Sequence, residues 1–233
     1  MKTENEYNDI LSMVTHDLKS PLSAVMGALE MLSYDDLTKS EKKESITIAR
    51  KATKNILKLV EDILVMAKHE AGKEHVNLKK ANNLNDCFED IIKTFKYQMK
   101  IKNINFKTDI PKDLPVVYWD IDKIQYHVLN NIISNAIKFT SANGHILMSV
   151  ENRKNSEIII KIKDDGIGIP MHKRKNVFEK YETFEKVKVL KGSGLGLYNA
   201  YCFTCQHQGS VKIIDGINNN GVGFIIRLPI RAY

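Results

Sequence analysis

Leu11, Val14, Leu18, Leu22, Val25, Leu29 and Leu32 recur at alternating spacings of three and four. That is the period of a helix burying one narrow stripe against another helix, and it predicts a single helix from about Glu6 to Ser33. Asp35 and Asp36 interrupt it. Thr38, with Glu41 three residues on, then forms a capping box for a second helix. Ala49, Ala52, Ile56, Leu59, Ile63 and Met66 lie on one stripe of that helix, which ends near Gly72. Each helix is about 40–50 Å long at the usual rise of about 1.5 Å per residue. Two such helices cannot enclose both stripes in a compact core of their own. The economical solution is an antiparallel hairpin that dimerises into a four-helix bundle. The repeat itself demands no chemistry, and a plain dimerisation stalk satisfies it equally.

Beyond Gly72 the pattern changes. HVNLKK (75–80), INFKTDI (104–110), VVYW (116–119), HILMSVEN (145–152), EIIIKIKD (157–164), SVKIID (210–215) and GFIIRLP (223–229) predict strands. Asn83–Met99, Ile121–Phe139 and Gly194–His207 predict helices, and Pro170–Lys191 is a long, basic, poorly periodic loop. Strands mixed with helices in this order predict an α+β two-layer sandwich. A chain of 233 residues has room for two such modest domains.

Several function classes drop out. No stretch approaches the roughly 18–20 consecutive apolar residues of a membrane span, and the polar opening MKTENEYNDI is no secretory signal. The expectation is a cytoplasmic chain, or the cytoplasmic part of a longer membrane-bound protein. The net charge is +7, but the lysines are scattered over every segment, which argues against a nucleic-acid partner. Cys202 and Cys205 form a CxxC with His207 close behind. No second CxxC or HxxxH completes four zinc ligands, so two reduced cysteines on a helix is the preferred reading.

Four constellations carry chemistry. His16 lies on the first helix beside Asp17, a carboxylate able to hold one imidazole nitrogen and raise the nucleophilicity of the other. Adjacent helical residues point about 100° apart, so that contact requires local distortion. Pro21 supplies a cause, because it offers no N–H to the Asp17 carbonyl. A lone helical histidine is otherwise more often structural. In QYHVLNNIISNAIKFT, Asn131, Asn135 and Lys138 make a polar stripe on an apolar helix. Amide oxygens suit Mg²⁺ and an ammonium suits phosphate; the alternative is a solvated helix face. Asp164, Gly166 and Gly168 follow an apolar strand, where the carboxylate can accept from an exocyclic amine. Gly192, Gly194 and Gly196 stand where the basic loop meets a helix, and backbone N–H groups there can cradle phosphate. Neither a Walker motif nor a Rossmann fingerprint is present.

Taken together and in order, these motifs resemble the bacterial sensor histidine kinases over nearly the whole chain. HDLKSPL resembles the phosphoacceptor box, NNIISNAIKFT the N box, DDGIGIP the first glycine box, FEKYETF the F box and GSGLGL the second glycine box. The resemblance implies a dimerisation and histidine phosphotransfer domain at residues 1–75. It implies an ATP-binding domain at 76–233, of the Bergerat (GHKL) fold shared with gyrase, Hsp90 and MutL. It makes His16 the phosphoacceptor and Asp17 its acid–base partner. Asn131 and Asn135 would serve Mg²⁺ and phosphate, Lys138 the phosphates, and Asp164 the adenine amine. Gly194, Leu195, Gly196 and Leu197 would anchor the lid formed by Pro170–Lys191. Implied with these are ATP and Mg²⁺, a homodimer, and a response-regulator receiver domain that takes the phosphoryl group. The rival is a catalytically inactive dimeric scaffold with a vestigial nucleotide site. An ATP-gated clamp like Hsp90 or MutL leaves HDLKSPL unexplained. Three residues depart from the family pattern. Phe139 stands where tyrosine is common, so a hydroxyl contact to the nucleotide is lost. Ser20 replaces the threonine or asparagine that supports phosphatase activity, which implies a weak one. Gly223 stands where a hydroxyl residue usually precedes the phenylalanine of GVGFII.

Overall fold

The structure is a computed structural model and describes residues 4–154, 156–182 and 192–231; for residues 4–11 and 13 it describes the backbone alone. Two compact units divide the chain, residues 1–67 and 68–233.

The first unit is a helical hairpin of α1 (Glu4–Leu32) and α2 (Lys39–Glu70), the last turn of α2 belonging to the second unit. α1 runs through Pro21 without a break. The expected capping box forms at the start of α2: Thr38 N–H donates to Glu41 Oε2 at 2.8 Å, and Glu41 N–H to Thr38 Oγ1 at 3.3 Å. Gly72, at φ +62°, ends the helix in the left-handed conformation that glycine adopts without steric cost. Ala52, Leu59 and Met66 of the expected α2 stripe are buried. On α1 the stripe is less complete. Leu22 and Leu29 remain 54% and 53% exposed, so the single chain leaves apolar surface uncovered. Leu11, the first member of that stripe, has its side chain outside the described residues.

The second unit adds β1 (Lys79–Ala81), α3 (Leu84–Ile101), β2 (Asn105–Asp109), β3 (Val117–Trp119), α4 (Ile121–Lys123), α5 (Asn130–Phe139), β4 (His145–Arg153), β5 (Glu157–Asp164), α6 (Gly196–Gln206), β6 (Ser210–Ile217) and β7 (Asn220–Pro229). Five strands form one sheet in the order β2-β4-β5-β7-β6, with β2 parallel to β4 and the other pairs antiparallel. β1 and β3 pair separately, antiparallel. HVNLKK is thus a strand only at its end: Asn77 N–H goes to the Asp120 carboxylate at 2.9 Å instead of joining a ladder.

Alternation sets the core. Ile158, Ile160 and Ile162 of β5 are buried in one row, flanked in register by Met148 and Val150 of β4 and by Phe224, Ile226 and Leu228 of β7. α5 packs on β5, and α6 on β6 and β7, bringing Ile132, Ile133, Ile137, Ala200 and Phe203 over the sheet. Asp164 ends the same β5 row, so the period of two carries its carboxylate into the layer between sheet and helices.

Two local features depart from the pattern. The helix expected over Ile121–Phe139 contains a π-helical turn at Ile124–Leu129, with Asn130 N–H bonded to Gln125 O. The expected helix from Gly194 starts at Gly196, because Gly194 at φ +66° cannot enter a right-handed helix.

Candidate functional site

His16, Asp17 and Ser20 all lie within α1, and His16 and Ser20 are exposed to solvent. His16 Nδ1 is 3.1 Å from Asp17 Oδ1, although the two residues are adjacent in a helix. A carboxylate can only accept, so it holds the proton on Nδ1 and leaves the Nε2 lone pair free. The Nε2 nitrogen is then the nucleophilic one.

The second unit gathers the remaining expected residues around α5. Asn131 is buried, and its Nδ2 donates to His127 O at 2.8 Å. Its Oδ1 therefore turns toward the second glycine box, where a Cβ built on Gly196 would stand 3.1 Å away. An amide oxygen beside a side-chain-free backbone suits a cation and the phosphates it accompanies. Lys138 Nζ lies at the other end of the same stripe, 3.1 Å from a Cβ built on Gly192. It also lies 4.9 Å above the Phe139 ring. Asn135 stands between them, half-buried on α5. The helix stripe and the glycine loop thus face one another.

Asp164 lies at the end of β5. It is 2% exposed, and its Oδ1 accepts from Gly166 N–H at 2.9 Å and Val222 N–H at 3.2 Å. Among the described residues nothing donates to Oδ2. Burial raises its pKa to about 6, against the lowering effect of those two N–H groups. A Cβ on Gly166 would strike Phe139 O, and one on Gly168 would come within 2.8 Å of Gly221 O. Gly168 has φ +65° and so needs glycine on both counts. Gly221, which the motifs did not single out, packs so closely on Asp164 that any side chain there would collide with the carboxylate. Its one sequence signal was the NNNG run in which β7 begins.

Of the lid-side residues, Leu195 is fully buried and can meet a ligand only through its backbone, while Leu197 is half-buried. Gly194 O accepts from Tyr181 N–H at 3.1 Å, joining the F box to the second glycine box. Thr183 and Phe184 of the F box, and the rest of the expected lid to Lys191, lie outside the described residues. The histidine behind the CxxC has other work. His207 is fully buried, with Nε2 3.0 Å from Asp120 N and Nδ1 2.7 Å from Phe203 O. Both ring nitrogens are spent inside the protein, which leaves neither for a metal.

Comparison with known proteins adds two family matches. Residues 6–72 match the His Kinase A (phospho-acceptor) domain. Residues 120–232 match the histidine kinase-, DNA gyrase B- and HSP90-like ATPase. The adaptive-response sensory kinase SasA of Microcystis aeruginosa is 31% identical over 96% of this chain and 59% of its own length. The chain thus spans about three-fifths of the length of the SasA relatives it matches. Among solved structures, ShkA in complex with AMPPNP aligns with a TM-score of 0.67 at 21% identity, over 95% of this chain and 45% of that one. Histidine kinase ThkA in complex with the response regulator protein TrrA aligns at 0.68 and 20% identity, over 95% and 61%. At that identity these two show the fold.

Proposed function

This chain belongs to the two-component sensor histidine kinases, and from that premise we propose that it binds ATP, phosphorylates its own His16, and passes the phosphoryl group to an aspartate of a response-regulator receiver domain. The observation that carries the reading is the contact between His16 Nδ1 and Asp17 Oδ1, which leaves Nε2 free as a nucleophile on a solvent-exposed helix face. We assign residues 1–75 to dimerisation and phosphotransfer and 76–233 to ATP binding.

In the first step His16 Nε2 attacks the γ-phosphorus of ATP, the bond to the β-γ bridging oxygen breaks, and ADP leaves. Asp17 stabilises the positive charge that develops on the ring and takes its proton. In the second step a carboxylate oxygen of the receiver's aspartate attacks the same phosphorus, and the P–N bond breaks. Transfer of this kind needs positioning and charge neutralisation more than covalent help. The residues of the second unit supply both. Asp164 Oδ2 accepts from the exocyclic amine of adenine, Phe139 flanks the nucleotide, and Lys138 meets the phosphates. The backbones of Gly166, Gly168 and Gly192, and of Gly194 through Leu197, admit the nucleotide closely. Asn131 and Asn135 would hold Mg²⁺, whose part is to neutralise polyphosphate charge.

Dimerisation is supported by the uncovered stripe of α1 with Leu22, Met26 and Leu29, which a second copy would bury. Among the described residues no helix is long and apolar enough to cross a membrane. We place the reaction in the cytoplasm. The ligand of the ShkA structure and the partner of the ThkA structure support the nucleotide and receiver assignments by likeness of fold. Incubation with γ-labelled ATP tests the reading. Wild type should take up acid-labile label and hand it to a receiver domain, while His16→Gln should take up none yet still bind nucleotide. Full labelling of His16→Gln would refute the assignment, and an unlabelled wild type would leave the inactive scaffold.

A further inference from the structure

We propose that Lys102 is a positioning residue of the nucleotide site, clamping the end of the helix that carries Asn131, Asn135 and Lys138; the inference rests on reading that helix as the phosphate-binding element. Lys102 lies outside the residues that match the ATPase family model, and no motif points to it.

A helix leaves its last carbonyls without intrahelical donors. In α5 the last such bond runs from Thr140 N–H to Ala136 O at 2.9 Å, and Thr140 itself is extended. The carbonyls of Ile137, Lys138 and Phe139 therefore need partners from elsewhere. Lys102 Nζ donates to Ile137 O at 2.8 Å, Lys138 O at 3.0 Å and Thr140 O at 2.9 Å. An ammonium has three N–H donors, and these three carbonyls take them all. Ile167 N–H, from the first glycine box, completes the set at Phe139 O, 3.4 Å away. A positive charge at a helix C-terminus also complements the helix dipole.

The clamp is itself held. Lys102 caps α3 in a Schellman turn, with Asn103 at φ +53° donating to Lys100 O and Ile104 to Met99 O. The Lys102 carbonyl accepts from Asn143 N–H at 2.9 Å, and the side chains of Asn103 and Asn143 bond at 2.7 Å. One ammonium thus ties the α3 corner to the α5 corner, at the backbone of the residue whose Nζ stands beside Gly192. Without it the last turn of α5 loses its donors, and Lys138 and Phe139 lose their fixed places. Bound nucleotide and transition state should suffer alike, so KM should rise while kcat holds.

The experiment measures Mg·AMPPNP binding and autophosphorylation kinetics of Lys102→Met, which keeps the stem and removes the charge. Lys100→Met, an exposed lysine one turn-end away, is the control. Nucleotide Kd and KM should rise about tenfold in Lys102→Met, with kcat within about twofold, and stay at wild-type values in the control. If Lys102→Met does not fold, Lys102→Arg carries the test. Its rigid fork cannot meet three converging carbonyls, so a loss of about threefold is expected. Wild-type affinity in whichever of the two folds would overturn the proposal, as would an equal loss in Lys100→Met. A wild-type protein that binds no Mg·AMPPNP would instead overturn the nucleotide-site reading beneath it.

Discussion

Replacing Asp164 by asparagine should stabilise the nucleotide-free protein at pH 8 and weaken its hold on nucleotide. Asp164 is 2% exposed and ends the core-facing row of β5, where burial raises its pKa from 3.8 to about 6. The folded protein therefore holds this proton more tightly than the unfolded chain does. By linkage, stability falls as pH rises from about 4 to 6 and stays lower above that. Two pKa units correspond to about 3 kcal/mol of conformational stability given up to keep the carboxylate ionised. Asparagine keeps the oxygen that accepts from Gly166 and Val222 and needs no ionisation. Asp164→Asn should then melt above wild type by about 6–12 °C at pH 8, at 2–4 °C per kcal/mol for a unit of this size. At pH 4.5 the wild-type carboxyl is protonated in the folded protein, so the gap should narrow to about a third of its size at pH 8. Nucleotide binding should move the other way, because the asparagine amide would present a donor where the carboxylate accepts from an amine. A loss of about a hundredfold or more is expected, and wild-type affinity itself should decline as pH falls through 6. The measurements are thermal melts without nucleotide at both pH values and calorimetric titration with Mg·AMPPNP. Coincident melts at pH 8, or a gap that persists unchanged at pH 4.5, would refute the reasoning.

Asn135→Ala should eliminate autophosphorylation without unfolding the protein, since its amide belongs to the stripe proposed to hold Mg²⁺; wild-type rates at limiting Mg²⁺ would rule that out. Ser20 is one turn beyond His16 on α1, so both can face the same receiver. Its hydroxyl has threonine's hydrogen-bonding capacity without the methyl that restricts the rotamer. Loss of phosphate from a phosphorylated receiver should be slow with wild type, absent with Ser20→Ala and faster with Ser20→Thr, with autophosphorylation preserved in both. His16→Gln serves there as the check against back-transfer, and undiminished loss with Ser20→Ala would remove the hydroxyl from the mechanism.

Local order was legible wherever a residue's neighbours in the chain settle its state. The helices α1 and α2, the Thr38–Glu41 box and the strand at EIIIKIKD all follow from spacing and residue type, while the inward placement of Asp164 is seen only in the fold. The extent of elements was less legible. Asp120, far along the chain, diverts Asn77 from a strand, and Gly194 delays α6 by its positive φ.

By itself the sequence determined two helical stripes, a mixed α+β domain and a set of motifs in an order that resembles one family of kinases. Tertiary structure decided which groups are paired with which. Burial between sheet and helices raises the pKa of Asp164, Gly221 leaves its carboxylate room, and Lys102 reaches across to cap α5. His207 turns from a candidate ligand into a core hydrogen-bond partner in the same way. The reason is physical. Periodicity and capping depend on dihedral preferences and on side chains within a turn or two. Desolvation and hydrogen bonds between distant segments depend on what packs against what, and no local pattern in the chain encodes that partner.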